Sequence, residues 1–157
     1  MRVLSLTIRP AQDEDARWAA APMSASDPWT TLGRGFEPCL RACTSSLDVL
    51  EIAEAEDGRC GFVLVRPAGV AGAPYIVSIA VAPGHRSQGV GAAMLSHVER
   101  TYSGRSRHLF LCVSSFNGRA RAFYERHGFA AVGLFKDFLI DGADETLMHK
   151  RLPAPVA

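Results

Sequence analysis

A nearly continuous apolar segment, YIVSIAVAP at Tyr75–Pro83, constrains the fold more than any other feature of the sequence. Such a run is typical of a strand that is buried on both faces, and it therefore predicts a central strand of a sheet. A loop follows, and apolar residues then recur at helical spacing from about Gly89 to Tyr102. A second apolar strand, His108–Val113, comes next. The order strand, helix, strand predicts a crossover connection and hence a parallel strand pair.

Further strands and helices are predicted on the N-terminal side of this pair. A first strand at Val3–Pro10 precedes an alanine-rich helix with an acidic start, QDEDARWAAAP, and a second short helix ends near Cys43. Asp57-Gly58 predicts a hairpin turn between the two strands of DVLEIAEAEDGRCGFVLVRP. The segment AGVAGAP after them predicts a flexible turn.

The C-terminal part adds one helix and two strands. A helix from about Asn117 to His127 ends at Gly128, the residue type favoured just past a helix C-terminus. FAAVGLF and ETLMHKRL predict two final strands around a turn at Asp141-Gly142. Together the elements predict an α/β (α+β) fold in one domain at residues 1–152, with a mixed sheet of about six to seven strands, about four helices and a frayed tail at residues 153–157.

Composition excludes several classes of protein. The 157 residues are 48% apolar and 21% charged, with a formal net charge of +1, which argues against a disordered chain and against a nucleic-acid partner. The uncharged stretch between Arg2 and Arg9 is too short for a signal peptide, and no apolar run approaches the ~20 residues of a membrane span. A soluble cytoplasmic protein without a membrane partner is predicted.

The sequence predicts no metal site. Its four cysteines form no CxxC pair and are interpreted as buried or half-buried thiols. The five histidines are scattered, and none pairs with a carboxylate or another histidine at ligand spacing.

The loop after the central strand is a candidate anion site. In Arg86-x-x-Gly89-x-Gly91 a strand ends and a helix begins, so several backbone N–H groups are free at the positive end of a helix dipole. Glycine removes side chains that would hold a phosphate away from these donors, and Arg86 can add a charge-assisted hydrogen bond. A second interpretation stays open, in which both glycines only permit close packing of the helix on the sheet.

This spacing of Arg86, Gly89 and Gly91 resembles the signature of the GCN5-related N-acetyltransferase (GNAT) superfamily. A second segment, NGRARAFYERHGF, is similar to the family pattern Asn-x-x-Ala-x-x-Phe-Tyr-x-x-x-Gly-Phe. Its matching residues are Asn117, Ala120, Phe123, Tyr124, Gly128 and Phe129. The order of strands and helices resembles the family over nearly the whole chain, whereas the specific motifs occupy only Val81–Phe129.

The resemblance implies acetyl-coenzyme A (acetyl-CoA) as the donor and a splayed central pair of parallel strands. The pyrophosphate of acetyl-CoA would lie on the N–H groups from about Ser87 to Ala92. Its pantetheine arm would lie along the end of the central strand, with Val81 as the backbone partner. Asn117 and Tyr124 would face the slot where the thioester meets the acceptor. The candidate cofactor-binding residues are Val81, Arg86, Ser87, Gln88, Gly89, Val90, Gly91, Ala92, Asn117, Ala120, Phe123 and Tyr124.

Acetyl transfer to an amine needs a proton acceptor and a proton donor, because an alkylammonium must lose a proton and the leaving thiolate must gain one. The resemblance implies Tyr124 as the donor. The base is open, since Cys112 stands where related N-terminal acetyltransferases carry glutamate, and a thiol in an apolar strand favours packing. Ser78, acting through water, is a candidate on the central strand. Asp27 and Glu37 are candidates on the acceptor side.

The resemblance implies that the loop between the first two helices, SDPWTTLG, forms the acceptor wall. Two interpretations stay open for it. In the first, Trp29 lines the acceptor pocket and Asp27 attracts a cationic amine. In the second, Ser26 or Asp27 caps a helix above Trp29, which plugs the core.

Two functions follow from these features. The first is an enzyme, an N-acetyltransferase that acts on a primary amine of a small molecule or protein by direct attack. The second is a non-catalytic acyl-CoA-binding sensor or partner module, which Cys112 favours and Tyr124 opposes. The resemblance is also compatible with a homodimer that pairs through the last strands.

Overall fold

A computed structural model describes residues 5–154 and contains seven strands, four α-helices and one short 3₁₀ helix in this range. The elements are β1 (Thr7–Pro10), α1 (Asp15–Ser24), α2 (Phe36–Cys43), β2 (Val49–Ala55), β3 (Gly58–Val70), β4 (Ala73–Val81), the 3₁₀ helix (Pro83–His85), α3 (Val90–Tyr102), β5 (His108–Ser114), α4 (Gly118–Arg126), β6 (Ala130–Ile140) and β7 (Ala143–Arg151). All seven strands form one mixed sheet in the order β1-β2-β3-β4-β5-β7-β6. The predicted fold class is confirmed.

The centre of the sheet is a parallel pair that separates after a short contact. β4 and β5 pair only at Tyr75 with Phe110 and at Ile76 with Leu111, and every other strand pair is antiparallel. Beyond these residues the C-terminal halves of both strands diverge. The predicted splay is therefore present, and it leaves a slot between residues 77–81 of β4 and residues 112–114 of β5.

Two apolar clusters cover the two faces of the sheet. Helix α3 and the end of α4 pack with inward side chains of β5 and β7, including Leu111, Val113 and Met148. Helices α1 and α2 pack on the opposite face, against Phe62 and Leu64 of β3. Because successive strand residues point to opposite faces, the residues between Leu109, Leu111 and Val113 face away from α3 and α4.

Several predicted boundaries are corrected by the structure. AGVAGAP is not a flexible turn, because the pairing of β3 with β4 continues to Val70 and Ala73, and only Ala71 and Gly72 form the turn, both with positive φ. Helix α1 begins later than predicted, at Asp15, whose carboxylate accepts a hydrogen bond from the Gln12 N–H and holds the chain in a turn before the helix.

The predicted ends of the chain are only partly described. Val3 and Leu4 of the predicted first strand, and residues 155–157 of the predicted tail, lie outside the described residues. Within the described part, β1 is shorter than predicted and runs over Thr7–Pro10. The prediction of one domain at residues 1–152 stays a prediction.

The scattered histidines do find partners, which their sequence spacing did not indicate. Two histidines each contact a carboxylate through Nε2, and two further histidines contact each other. The pairs are His85 with Asp57 at 2.9 Å, His97 with Glu51 at 2.8 Å, and His108 with His149 at 2.9 Å. Residues 5–154 contain no group of three or more His, Cys, Asp or Glu side chains placed to hold a metal ion.

The buried carboxylate of Asp15, at the start of α1, links strands β1 and β3. Asp15 is 1% exposed and binds Arg9 at 2.7 Å and Arg59 at 2.8 Å, in addition to the Gln12 N–H at 2.7 Å. The hydrogen bond from Arg9 is the largest of the effects that lower the pKa of Asp15 below its usual 3.8. These contacts tie β1, the start of α1 and β3 together.

Candidate active site

The loop between β4 and α3 presents a run of unpaired backbone donors. Ser87 and Gly89 both have positive φ, 62° and 83°, so the chain turns twice before α3 begins. Within the described residues, no protein acceptor takes a hydrogen bond from the N–H groups of Arg86 to Ala92, whereas the N–H of Ala93 binds the Gly89 carbonyl. The donors therefore converge at the positive end of α3, where an anion is stabilised.

The two glycines of this loop have different structural roles. A Cβ at Gly89 would meet nothing within 4 Å, so glycine is favoured there by its positive φ alone. A Cβ at Gly91 would lie 3.1 Å from Cζ of Phe123, so glycine there permits the close approach of α4 to α3. Gly91 thus permits close packing, mainly of α4 on α3, whereas Gly89 allows the loop conformation that leaves the N–H groups free.

The free edge of β4 leads directly to this loop. Residues 78–81 of β4 pair with β3 on one side, and on the other side the splay leaves their backbone groups facing the slot. Val81 is the last residue of this edge, and its Cγ2 is 3.8 Å from the position of a Cβ at Gly91. An extended ligand that pairs with this edge would reach the loop donors at its end.

Tyr124 is buried on the α3 and α4 side of the slot. Its ring packs edge-on against Phe123 and Phe129, with centroid distances of 5.5 Å and 5.9 Å. Its hydroxyl makes no hydrogen bond to another described residue, yet it is not among the fully enclosed polar atoms without a partner. Burial raises the pKa of Tyr124 to about 12. The hydroxyl is therefore protonated at neutral pH and retains a hydrogen to donate.

Asn117, which the sequence predicted to face the slot, caps helix α4. Its Oδ1 accepts a hydrogen bond from the N–H of Ala120 at 3.3 Å. Asparagine is favoured at such a position because its side chain replaces one missing helical acceptor. The cap begins the turn that brings Phe123 and Tyr124 to the sheet.

A row of three side chains begins beside the slot and runs outward across the sheet, on the face away from α3 and α4. Ser114 of β5, Glu145 of β7 and Phe135 of β6 are direct cross-strand neighbours. Glu145 is 7% exposed, and its Oε1 accepts a hydrogen bond from the Ser114 hydroxyl at 3.0 Å. Its Oε2 has no partner within the described residues. Burial raises the pKa of Glu145, although Ser114 and Arg34 oppose this effect.

The sequence reasoning missed Glu145. The only signal was an acidic residue in the predicted strand ETLMHKRL, and a surface strand carries such residues as well. The register with β5, which places Glu145 opposite Ser114, joins residues 31 positions apart.

Cys112, which stands where the resemblance implied a glutamate, lies near Tyr75, a second residue that the sequence reasoning missed. Burial is the main cause that raises the pKa of the Cys112 thiol and of the Tyr75 hydroxyl. A thiol with a raised pKa is a poor nucleophile. The arrangement supports the interpretation that Cys112 packs in the sheet.

The predicted acceptor-side residues are not brought together with the loop donors. Trp29 is buried in the cluster beneath α1 and α2. Asp27 accepts hydrogen bonds from Thr30 Oγ1 at 2.6 Å, Thr31 N at 3.2 Å and Thr31 Oγ1 at 2.5 Å. Ser78 is buried and pairs with Leu64, so it faces the α1 and α2 side. Trp29 thus fits the core plug, whereas Asp27 stabilises a turn and not a helix cap, because α1 ends at Ser24 and α2 begins only at Phe36.

A family model described as the acetyltransferase (GNAT) domain matches residues 48–131, which is more than half of the chain. The chain belongs to this family. The matched GNAT segment contains β4, the donor loop, α3, β5 and Tyr124.

Two curated relatives match part of this GNAT protein. An uncharacterised N-acetyltransferase of Methanocaldococcus jannaschii is 35% identical over 81 residues, which are 50% of this chain and 52% of that protein. The 5-NmdU N-acetyltransferase of Pseudomonas phage PaMx11 is 34% identical over 84 residues, 54% of this chain and 59% of that protein. The match thus spans little more than half the length of each relative.

Solved structures share the fold over longer ranges. Nourseothricin acetyltransferase is 30% identical, with a TM-score of 0.61, and the match covers 69% of this chain and 67% of that chain. Spermidine N-acetyltransferase from Vibrio cholerae, in complex with CoA and spermine, has a TM-score of 0.70 and covers 93% of this chain and 95% of its own. At 19% identity it shows a similar fold alone.

None of the helices in residues 5–154 is long and apolar enough to cross a membrane.

Proposed function

We propose that this GNAT protein is an enzyme that transfers the acetyl group of acetyl-CoA to a primary amine of a small molecule or protein by direct attack. The observation that carries the proposal is the run of backbone donors from Arg86 to Ala92, which has no protein acceptor in the described residues. Such a run at a helix N-terminus fits a diphosphate. The names of both curated relatives, which describe N-acetyltransferases, support the same conclusion.

The chain offers contacts along the length of the donor. The loop N–H groups from Ser87 to Ala92 would hold the pyrophosphate, with the Arg86 side chain and Gln88 beside them. The edge of β4 that ends at Val81 would pair with the pantetheine amides. Bound there, acetyl-CoA would supply an activated acetyl thioester at the slot between β4 and β5.

Tyr124 would donate a proton to the thiolate that leaves. Its hydroxyl is protonated because burial raises its pKa, and it is not occupied by another described residue. Ser78 stays a candidate for holding a water molecule on the α1 and α2 side. Asp27 and Trp29 stay candidates for the acceptor side, although the hydrogen bonds from Thr30 and Thr31 already engage the Asp27 carboxylate.

Replacing Gly89 with alanine should weaken CoA binding by about tenfold or more in titration calorimetry. A residue with a Cβ is disfavoured at positive φ by about 1–2 kcal/mol, so the loop would relax and its N–H groups would no longer converge. The native chain should give saturable heat with CoA.

Gly72→Ala is the matched control. Gly72 has nearly the same φ, 82°, and equally open space, but it lies in the β3–β4 turn. This variant should lose stability and keep the native CoA affinity. A native chain that does not bind CoA would contradict the proposal, whereas binding without acetylation of any amine would favour the non-catalytic module.

We also propose that the protein is a homodimer that pairs through β6. This strand is one end of the sheet, and its side chains Val132 and Leu134 are exposed. Exposed apolar edge strands favour association. In sedimentation velocity the native chain should be a dimer and Leu134→Lys a monomer. Leu47→Lys, at an exposed leucine before β2, should remain a dimer, and a monomeric native chain would refute the pairing.

We further propose a cytoplasmic location and a single catalytic domain at residues 1–152. The location is supported by the four cysteines, which are free thiols in the structure, because a reducing compartment keeps thiols unpaired. The domain is supported by the single sheet that joins all seven strands.

A further inference from the structure

The Oε2 atom of Glu145 has no hydrogen-bond partner within the described residues, although the residue is only 7% exposed. Buried carboxylate oxygens are nearly always paired, because an unpaired one loses its hydration without compensation. Its companion Oε1 is paired with Ser114 at 3.0 Å, so the carboxylate is held in one orientation. The unpaired oxygen indicates a partner that arrives from outside the chain, and because Oε2 is enclosed in this structure, neighbouring side chains must move to admit that partner.

Glu145 lies one strand away from the slot, on the face opposite to Tyr124. Ser114, its cross-strand partner, is the last residue of β5 and stands beyond the last pairing of β5 with β4. Tyr124 belongs to the apolar cluster with α3, on the other face of the sheet. Tyr124 and the Ser114–Glu145 pair therefore lie on opposite faces of the sheet near the slot.

The charged and titratable groups around Glu145 come from three elements. Tyr75 of β4 and Cys112 of β5 lie close enough for the carboxylate to raise their pKa values. Arg34, from the loop between α1 and α2, attracts the carboxylate, but Oε2 has no hydrogen-bond partner within residues 5–154. A cationic ligand at Oε2 would supply the partner that this oxygen lacks.

Two exposed aromatic rings stand beside the carboxylate. Phe135, the cross-strand neighbour of Glu145, is 40% exposed, and Phe138 is 59% exposed, with 4.9 Å between their ring centroids. Aromatic faces attract ammonium groups and bury apolar carbon. The pair would contact the part of an acceptor next to its amine.

We propose that Glu145 Oε2 binds the ammonium of the acceptor and takes its proton, and that the acceptor is a primary alkylamine whose apolar body packs on Phe135 and Phe138. The juxtaposition of an oriented buried carboxylate, an open slot and exposed rings carries this inference, which rests on the acetyltransferase function proposed above.

The proton balance of the step is complete. Oε2 takes one proton from the ammonium, and the free amine forms a C–N bond to the acetyl carbonyl carbon. The C–S bond breaks, and the thiolate takes the Tyr124 proton. The second proton of the nitrogen replaces the one that Tyr124 gave, and Glu145 releases its proton to solvent. The products are an amide, a thiol and one proton.

Glu145→Gln is the direct test. With phenethylamine as acceptor, kcat/KM should fall by about 100-fold, because glutamine cannot take a proton, while calorimetry shows native CoA affinity. The rise of kcat/KM with pH on the acidic limb should disappear. Glu56→Gln, the same change at an exposed residue in the β2–β3 turn, should leave both rate and pH profile native.

Ser114→Ala is a second variant that keeps the charge of Glu145. The serine hydrogen bond lowers the pKa of the carboxylate, so its loss should raise that pKa and move the acidic limb to higher pH. A merely structural role of Ser114 would lower stability without this shift. Phe138→Ala should raise KM for phenethylamine by more than it raises KM for ethanolamine.

The outcomes separate this inference from the proposed function. Acetylation by the native chain with unchanged kcat/KM in Glu145→Gln would overturn the inference and leave the function intact. If Glu145→Gln has a lowered melting temperature but native activity, Glu145 has a structural role, and the inference is overturned as well. Absence of CoA binding by the native chain would overturn the function itself.

Discussion

Tyr124→Phe should lower kcat by about 100-fold while the KM for acetyl-CoA stays near the native value. The reason is that phenylalanine keeps the ring packed against Phe123 and Phe129 but removes the only proton that the residue can donate. The hydroxyl makes no hydrogen bond to another described residue, so its loss should not destabilise the fold. Thiol release from acetyl-CoA, followed with phenethylamine, measures the rate.

Tyr102→Phe is the matched control for this change. Tyr102 is buried in the same apolar cluster, at the C-terminal end of α3 and away from the slot. It should keep native kcat. Equal losses in both variants would indicate a packing effect, and native kcat in Tyr124→Phe would remove Tyr124 as the proton donor.

Asp15→Ala should reduce the free energy of unfolding by about 3 kcal/mol, the lower end of the range for breaking a buried ion pair, because Arg9 and Arg59 remain partly exposed. For a chain of this size the melting temperature should fall by roughly 6–12 °C. Asp13→Ala, at an exposed aspartate in the same turn, should change stability by less than about 0.5 kcal/mol. Urea unfolding of the three chains measures the differences.

The effect of Asp15 should also depend on pH. Its folded pKa is lowered, mainly by Arg9, so the ionised carboxylate contributes its full stabilisation above the usual pKa of 3.8 and loses it as the pH falls through the folded value. The difference in stability between the native chain and Asp15→Ala should therefore be constant near neutral pH and shrink below about pH 4. A difference that grows in acid would contradict the assignment.

Sequence patterns predicted the donor side of the site more completely than the acceptor side. The loop from Arg86 to Ala92 and the helix with Tyr124 are each contiguous, so their glycines, cap and apolar spacing appear in the sequence itself. Glu145, Ser114 and Phe135 come from three strands, and only the strand register brings them together. A shift of one residue would turn Glu145 to the other face.

The sequence by itself determined the order of the elements, the hairpin turns at Asp57-Gly58 and Asp141-Gly142, and the loop that leads into α3. These features depend on residues close together along the chain, where local propensity and periodicity decide. The tertiary structure alone decided the pairing of Asp15 with Arg59, the partners of the histidines and the place of Glu145 beside the slot. These contacts join residues tens of positions apart, and their geometry follows from sheet register and packing rather than from any local pattern.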